Sequence, residues 1–69
     1  MSIEIEELLI GFLKTSNATR GTGVLCFLIL EEEDQQLDMC RFLSKNPDAT
    51  DEEIMQMAEL IADPERGIH

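Results

Sequence analysis

The spacing most suggestive of chemistry lies in the segment NPDATDEE, which begins at Asn46. Asn46, Asp48 and Thr50 alternate like the first oxygen ligands of a calcium-binding loop. Such a loop needs glycine at its sixth position and glutamate at its twelfth, where this chain has Asp51 and Met57. The segment therefore predicts the start of a helix, and no calcium site.

The other reactive side chains do not form a catalytic or metal-binding pattern either. His69 is the single histidine, and Cys26 and Cys40 are the only cysteines, without the paired Cys/His spacing of a zinc site. Within one helix the two thiols would lie about 21 Å apart, too far for a disulfide. Because carboxylates are abundant, no pair of them stands out as a general acid and base. We expect no enzymatic activity, no cofactor and no metal, with both cysteines as small buried apolar residues.

Length and charge limit the class of protein. The 69 residues carry a formal net charge of −10, which falls from −1 in residues 1–23 to −6 in residues 47–69. Charge of this sign disfavours direct binding to nucleic acid or to anionic membranes. No basic segment precedes an apolar one as in a secretory signal, so we expect a cytoplasmic protein. A chain this small usually needs disulfides, a metal or a partner to supplement its core, and the sequence favours a partner.

Helical spacing is clear at both ends of the chain. The N-terminal apolar residues predict a helix over residues 2–15, with Ser2 as its N-cap. Near the C-terminus, Thr50 and Glu53 form an S/T-x-x-E capping box, which predicts a helix over residues 51–63. The tail at 66–69 is expected to fray. The apolar positions on which the two predictions depend are Ile5, Leu8, Leu9, Phe12, Leu13, Ile54, Met57, Ala58 and Ile61.

The middle of the chain is harder to interpret. Residues 24–30 are seven consecutive apolar residues, and residues 31–36 are all polar. Because residues 24–43 contain no Gly, Pro, Asn or Ser, the sequence predicts one continuous helix over 22–45, capped by Thr19 or Thr22 and stopped by Pro47. The expected fold is all-α: one small domain over residues 1–69, with three helices and a long central one.

Two surfaces follow as candidates for partner binding. A helix that is apolar all round must be covered all round, which two short helices would not achieve. The first half of the central helix is therefore the expected homodimer interface, and the acidic side chains form the expected surface for a basic protein partner. The interface residues are Val24, Leu25, Phe27, Leu28 and Leu30, and the acidic residues are Glu31, Glu32, Glu33, Asp34, Glu52 and Glu53.

Two functional hypotheses lead at this point, and a regulatory or subunit fragment stable only within a larger complex is a third possibility. The first is a small helical protein–protein interaction or regulatory module that works as a homodimer. The second is an inhibitor that mimics nucleic acid, of the small acidic kind carried by phages and mobile elements, directed at an enzyme that handles DNA or RNA. The second hypothesis depends on the charge alone and predicts binding with a strong salt dependence.

Overall fold

The computed structural model describes residues 4–63, and in this part of the chain α-helices are the only regular secondary structure, which confirms the predicted all-α fold class. It contains four helices where the sequence predicted three. They are α1 (Ile5–Thr15), α2 (Arg20–Ile29), α3 (Glu33–Lys45) and α4 (Asp51–Ala62).

The first and last helices follow the predicted pattern closely. In α1, Leu9 and Leu13 are buried, but the helix begins at Ile5 after an extended Glu4, later than the predicted start at residue 2; Ser2 itself lies outside the described residues. In α4, the capping box is present: the Glu53 N–H donates to Thr50 Oγ1 over 3.2 Å, and the Thr50 N–H donates to Glu53 Oε1 over 3.1 Å. Each of these two backbone N–H groups thus finds its acceptor in a neighbouring side chain. The start of α4 is therefore set by local residues.

The prediction of one long central helix over residues 22–45 is wrong. The helix ends at Ile29, and a new one begins at Glu33 after an extended Glu32. Leu30 is fully buried at this corner, and its backbone carbonyl accepts a hydrogen bond of 2.9 Å from Gln36 Nε2. The Gln36 side chain thus replaces the helical hydrogen bond that the corner gives up.

Electrostatics favour the break as well. In a continuous helix the four acids from Glu31 to Asp34 would lie in its middle, where the helix dipole gives them no advantage. With the break, Glu33 and Asp34 occupy the first turn of α3, where negative charge interacts favourably with the free N–H groups. The Glu32 N–H also donates to the Gln35 side chain over 3.3 Å. The acidic run therefore marks the start of a new helix. The sequence did not reveal this start, because the run contains no Gly or Pro.

The broken arrangement lets every helix reach a partner. Helix α1 packs on α3, α2 packs on α4, and α3 also packs on α4. The helices share one core, to which Leu30 contributes as much as any helical residue. No described helix is long and apolar enough to cross a bilayer. The buried apolar residues are Leu9, Leu13, Cys26, Leu30, Met39, Cys40, Leu43, Ala49, Ile54 and Ala58.

Candidate interaction surface

The outward face of α2 is an exposed apolar stripe. Val24 is 55% exposed, Leu25 46% and Leu28 66%, although all three belong to a helix whose opposite face is in the core. Gly21 lies one turn before Val24 and Leu25 on the same face, and a Cβ placed there would have no atom within 4 Å. We call Gly21, Val24, Leu25 and Leu28 the α2 stripe.

The local sequence explains why the stripe is apolar and exposed. Helix α2 turns Thr22 and Cys26 inward, and Thr19 caps its start by accepting from the Thr22 N–H over 3.4 Å. After Arg20 the helix contains no charged residue. Helix α2 therefore has a second apolar face besides the one that carries Thr22 and Cys26. Within this fold α4 packs on the Thr22 and Cys26 side and leaves the second face uncovered.

The structure distributes the five predicted interface residues over three environments. Val24, Leu25 and Leu28 lie on the stripe, Phe27 is half-buried at its edge, and Leu30 is in the core. The side chain of Leu30 is thus not available to a partner. The sequence could not separate these residues, because all seven in the run are apolar and the corner at Leu30 was hidden.

A groove borders the stripe on the side of α1. Helices α1 and α2 pack mainly on different neighbours, and the space between them is an open groove of about 440 Å³. Its apolar wall includes Ile10, Phe27 and Val24, the last shared with the stripe, and its rim carries Lys14 and Arg20. Within residues 4–63 the one ion pair is that of Arg41 with Asp38, at 3.4 Å, so neither rim cation is neutralised there by a carboxylate.

The six predicted acidic residues are all exposed, but they form two separate patches. Residues 31–34 lie at the start of α3, whereas Glu52 and Glu53 follow its end, in the first turn of α4. The 13 residues of α3 separate the patches by roughly 18 Å. Glu53 is also engaged in the capping box, so part of the second patch has a structural role.

Asp51, which the sequence did not single out, ties two helix starts together. Its Oδ1 accepts from the Thr19 backbone N–H over 2.9 Å, so the first residue of α4 also caps the start of α2. This hydrogen bond lowers the pKa of the Asp51 carboxyl below its ordinary value of 3.8. Thirty-two residues separate the two partners, which is why no local pattern indicated the contact.

Cys26 and Cys40 do not pair with each other within the chain, and both are buried, as the sequence predicted. Burial raises the pKa of the Cys26 thiol, and the negative charge of Asp51 raises it further. Burial also raises the pKa of Cys40. Because the thiolate is the reactive form, both cysteines are poor nucleophiles. In the described part of the chain no three His, Cys, Asp or Glu side chains come together as metal ligands.

Comparison with known proteins gives no relative: no family model, no curated protein and no solved structure matches this chain. The α2 stripe, the groove beside it and the two acidic patches are therefore the features on which a functional argument can depend. Sequence reasoning missed Ile10, Lys14 and Arg20 as neighbours of the stripe. The available signal was weak: residues 11–23 contain two cations and no carboxylate, in a chain of net charge −10.

Proposed function

We propose that this protein is a small helical protein–protein interaction module that works as a homodimer through the α2 stripe, with no catalytic activity. The observation that carries the proposal is the exposure of Val24, Leu25 and Leu28 on one helix face. Large apolar side chains clustered on the surface of a small protein are typical of an interaction site. A four-helix chain of this length also gains more from a partner than a larger domain does.

A second copy of the chain suits this face for an electrostatic reason. The protein repels its own copies through a charge of −10. Helix α2 contributes no carboxylate to its surface, so two copies can approach there with the least repulsion. Burial of Leu28 would contribute most to the free energy of dimer formation, since a fully buried leucine is about 1.5–3 kcal/mol more favourable than an exposed one.

The mimicry hypothesis finds less support in the fold. An inhibitor that imitates a nucleic acid backbone would need a continuous run of negative charge. Here α3 separates the patch at residues 31–34 from that at Glu52 and Glu53. The patch at Glu52 and Glu53 remains available to a basic protein partner, which we retain as a proposed second ligand of the dimer.

The deciding experiment is the solution mass by light scattering after size exclusion, across about a hundredfold concentration range. We expect a mass near twice 7.8 kDa at the upper end for the natural chain. Leu28→Asp places a charge in the stripe and should give a folded monomer, because the side chain is exposed in the single chain. Leu60→Asp is the matched control: Leu60 is 45% exposed on a different helix, α4, and its replacement should leave the dimer intact. A folded, monomeric natural chain would overturn the proposal.

A further inference from the structure

The groove between α1 and α2 is unused by the contacts described so far. It has an apolar wall, which includes Ile10 and Phe27, and a rim that carries Lys14 and Arg20. These are two of the four cations in residues 4–63. A cationic rim beside an apolar face, in a protein of net charge −10, indicates an acidic occupant.

The α2 helix has opposite charge at its two ends. Arg20 opens it, Lys14 lies across the groove from that end, and the acidic run of residues 31–34 follows its other end. Two such helices packed antiparallel bring the cationic end of each copy beside the acidic end of the other. Parallel packing would instead place cations against cations and carboxylates against carboxylates.

The stripe itself fits an antiparallel arrangement with a twofold axis. If the axis passes between Val24 and Leu25, Val24 faces Leu25 of the partner subunit, and Gly21 faces Leu28 of the partner subunit. The open space at Gly21 then receives the most exposed leucine of the chain. In the same arrangement Glu31 of the partner subunit, which follows the end of its α2, approaches the end of the groove that carries Lys14 and Arg20.

We infer that the groove binds the acidic segment of residues 31–34 of a second copy, so that an antiparallel α2 pair is held by two symmetric sets of ion pairs. This inference depends on the proposed homodimer and adds to it a site, an orientation and a ligand. It also gives the acidic corner a function besides starting α3. Added salt weakens these ion pairs at the solvent-exposed edge, but it also screens the repulsion between two chains of charge −10, so charge reversal isolates the ion pairs better than salt does.

Charge reversal tests the inference directly. Arg20→Glu should weaken the dimer about tenfold, because each of the two symmetric sites exchanges attraction for repulsion. Glu31→Lys should weaken it similarly, and the two substitutions in one chain should restore most of the affinity. Arg41→Glu is the matched control, since Arg41 lies on α3 and pairs with Asp38, away from the groove.

The outcomes separate the two proposals. A natural chain that is monomeric at every concentration overturns the homodimer itself. A natural dimer that is weakened no more by Arg20→Glu than by Arg41→Glu leaves the homodimer standing and overturns the groove contact. Cysteine cross-linking gives a second measure of orientation. A mixture of Gly21→Cys and Leu28→Cys chains should cross-link more than either alone, whereas efficient cross-linking of Leu28→Cys alone would indicate parallel packing.

Discussion

Helix α3 has a junction at each end, and the two junctions are built by different means. At its C-terminal end, the Ala49 N–H donates to the Asn46 carbonyl over 3.1 Å, and Thr50 caps the next helix. Pro47 helps to stop α3 in the same few residues. At its N-terminal end there is no glycine, proline or asparagine. That corner has one local contact, from the Glu32 N–H to Gln35, and it also depends on the burial of Leu30 and on the hydrogen bond from Gln36, six residues away.

The contrast shows that a turn can be specified locally or by the core. In both cases acidic residues fill the first turn of the following helix, where they favour the dipole. Only the junction at residues 46–50 also carries the residue types that turns prefer by themselves. The corner at Leu30 should therefore respond to core substitutions, and the junction before α4 to changes in its cap.

The largest effect should come from Leu30→Ala. Removing a fully buried leucine side chain costs about 2–5 kcal/mol in free energy of unfolding. Urea unfolding followed by circular dichroism measures the loss. If the alanine variant does not fold, Leu30→Met, which preserves the side-chain volume, can be measured in its place. Leu28→Ala, two residues away but exposed, should change the value by under about 0.5 kcal/mol in the monomer. Equal losses at both positions would contradict the buried corner.

A smaller loss is expected for Gln36→Met, which keeps the length of the side chain and removes its donor. The Leu30 carbonyl would then lose its partner, at a cost of about 1–3 kcal/mol. The lower end is expected, because the substitution also removes Gln36 Oε1, a buried oxygen without a partner among the described residues. The same urea measurement applies, with the exposed Gln56→Met as the control. An unchanged unfolding midpoint would mean that the hydrogen bond does not hold the corner.

Thr50→Ala removes the side-chain cap of α4 and should lower the free energy of unfolding by about 1 kcal/mol. The Glu53 N–H loses its acceptor at Thr50 Oγ1, while the core stays as it is. Ser44→Ala, an exposed change inside α3, is the matched control and should be neutral or slightly stabilising. If both alanine variants unfold at the same urea concentration as the natural chain, the local junction is less important than we infer.

Glu33→Pro should change the free energy of unfolding only slightly if the chain has a corner here, and would lower it clearly if the helix were continuous. Glu33 is the first residue of α3, and the extended Glu32 before it has the conformation that proline requires of its predecessor. We expect a change between neutral and a gain of about 1 kcal/mol in unfolding free energy. In an unbroken helix over residues 22–45 the same substitution would cost about 3 kcal/mol, as Asp38→Pro should within α3.

The hydrogen bond between α2 and α4 should appear as a weak pH dependence of stability. The pKa of Asp51 is lower in the folded chain than its ordinary 3.8, so its contribution is complete above that value and disappears as the pH falls through the lowered pKa. Asp51→Asn should reduce the difference in urea midpoint between neutral pH and pH of about 3. A reduction of the same size in Glu52→Gln would indicate net charge, and not the bond to Thr19, as the cause.

The sequence predicted those parts of the fold that local chemistry controls. The capping box at Thr50 and Glu53, the stop near Lys45 and the apolar spacing of α1 and α4 are all present where they were expected. Gln36 offered a clue to the rest, because it lies on the apolar face of α3 between buried residues. The sequence alone could not show that its amide would satisfy a carbonyl at a corner.

For the candidate surface the division is similar. By itself the sequence determined that the run from Val24 to Leu30 is apolar on every side and that the segment after it is acidic. Only the tertiary structure decided that Leu30 goes to the core while Val24 and Leu28 face outward, because the corner changes the direction of the chain at that residue. It also placed Lys14 and Arg20 on one groove and Asp51 beside Thr19. Contacts between distant residues depend on how helices pack, and no local pattern records that.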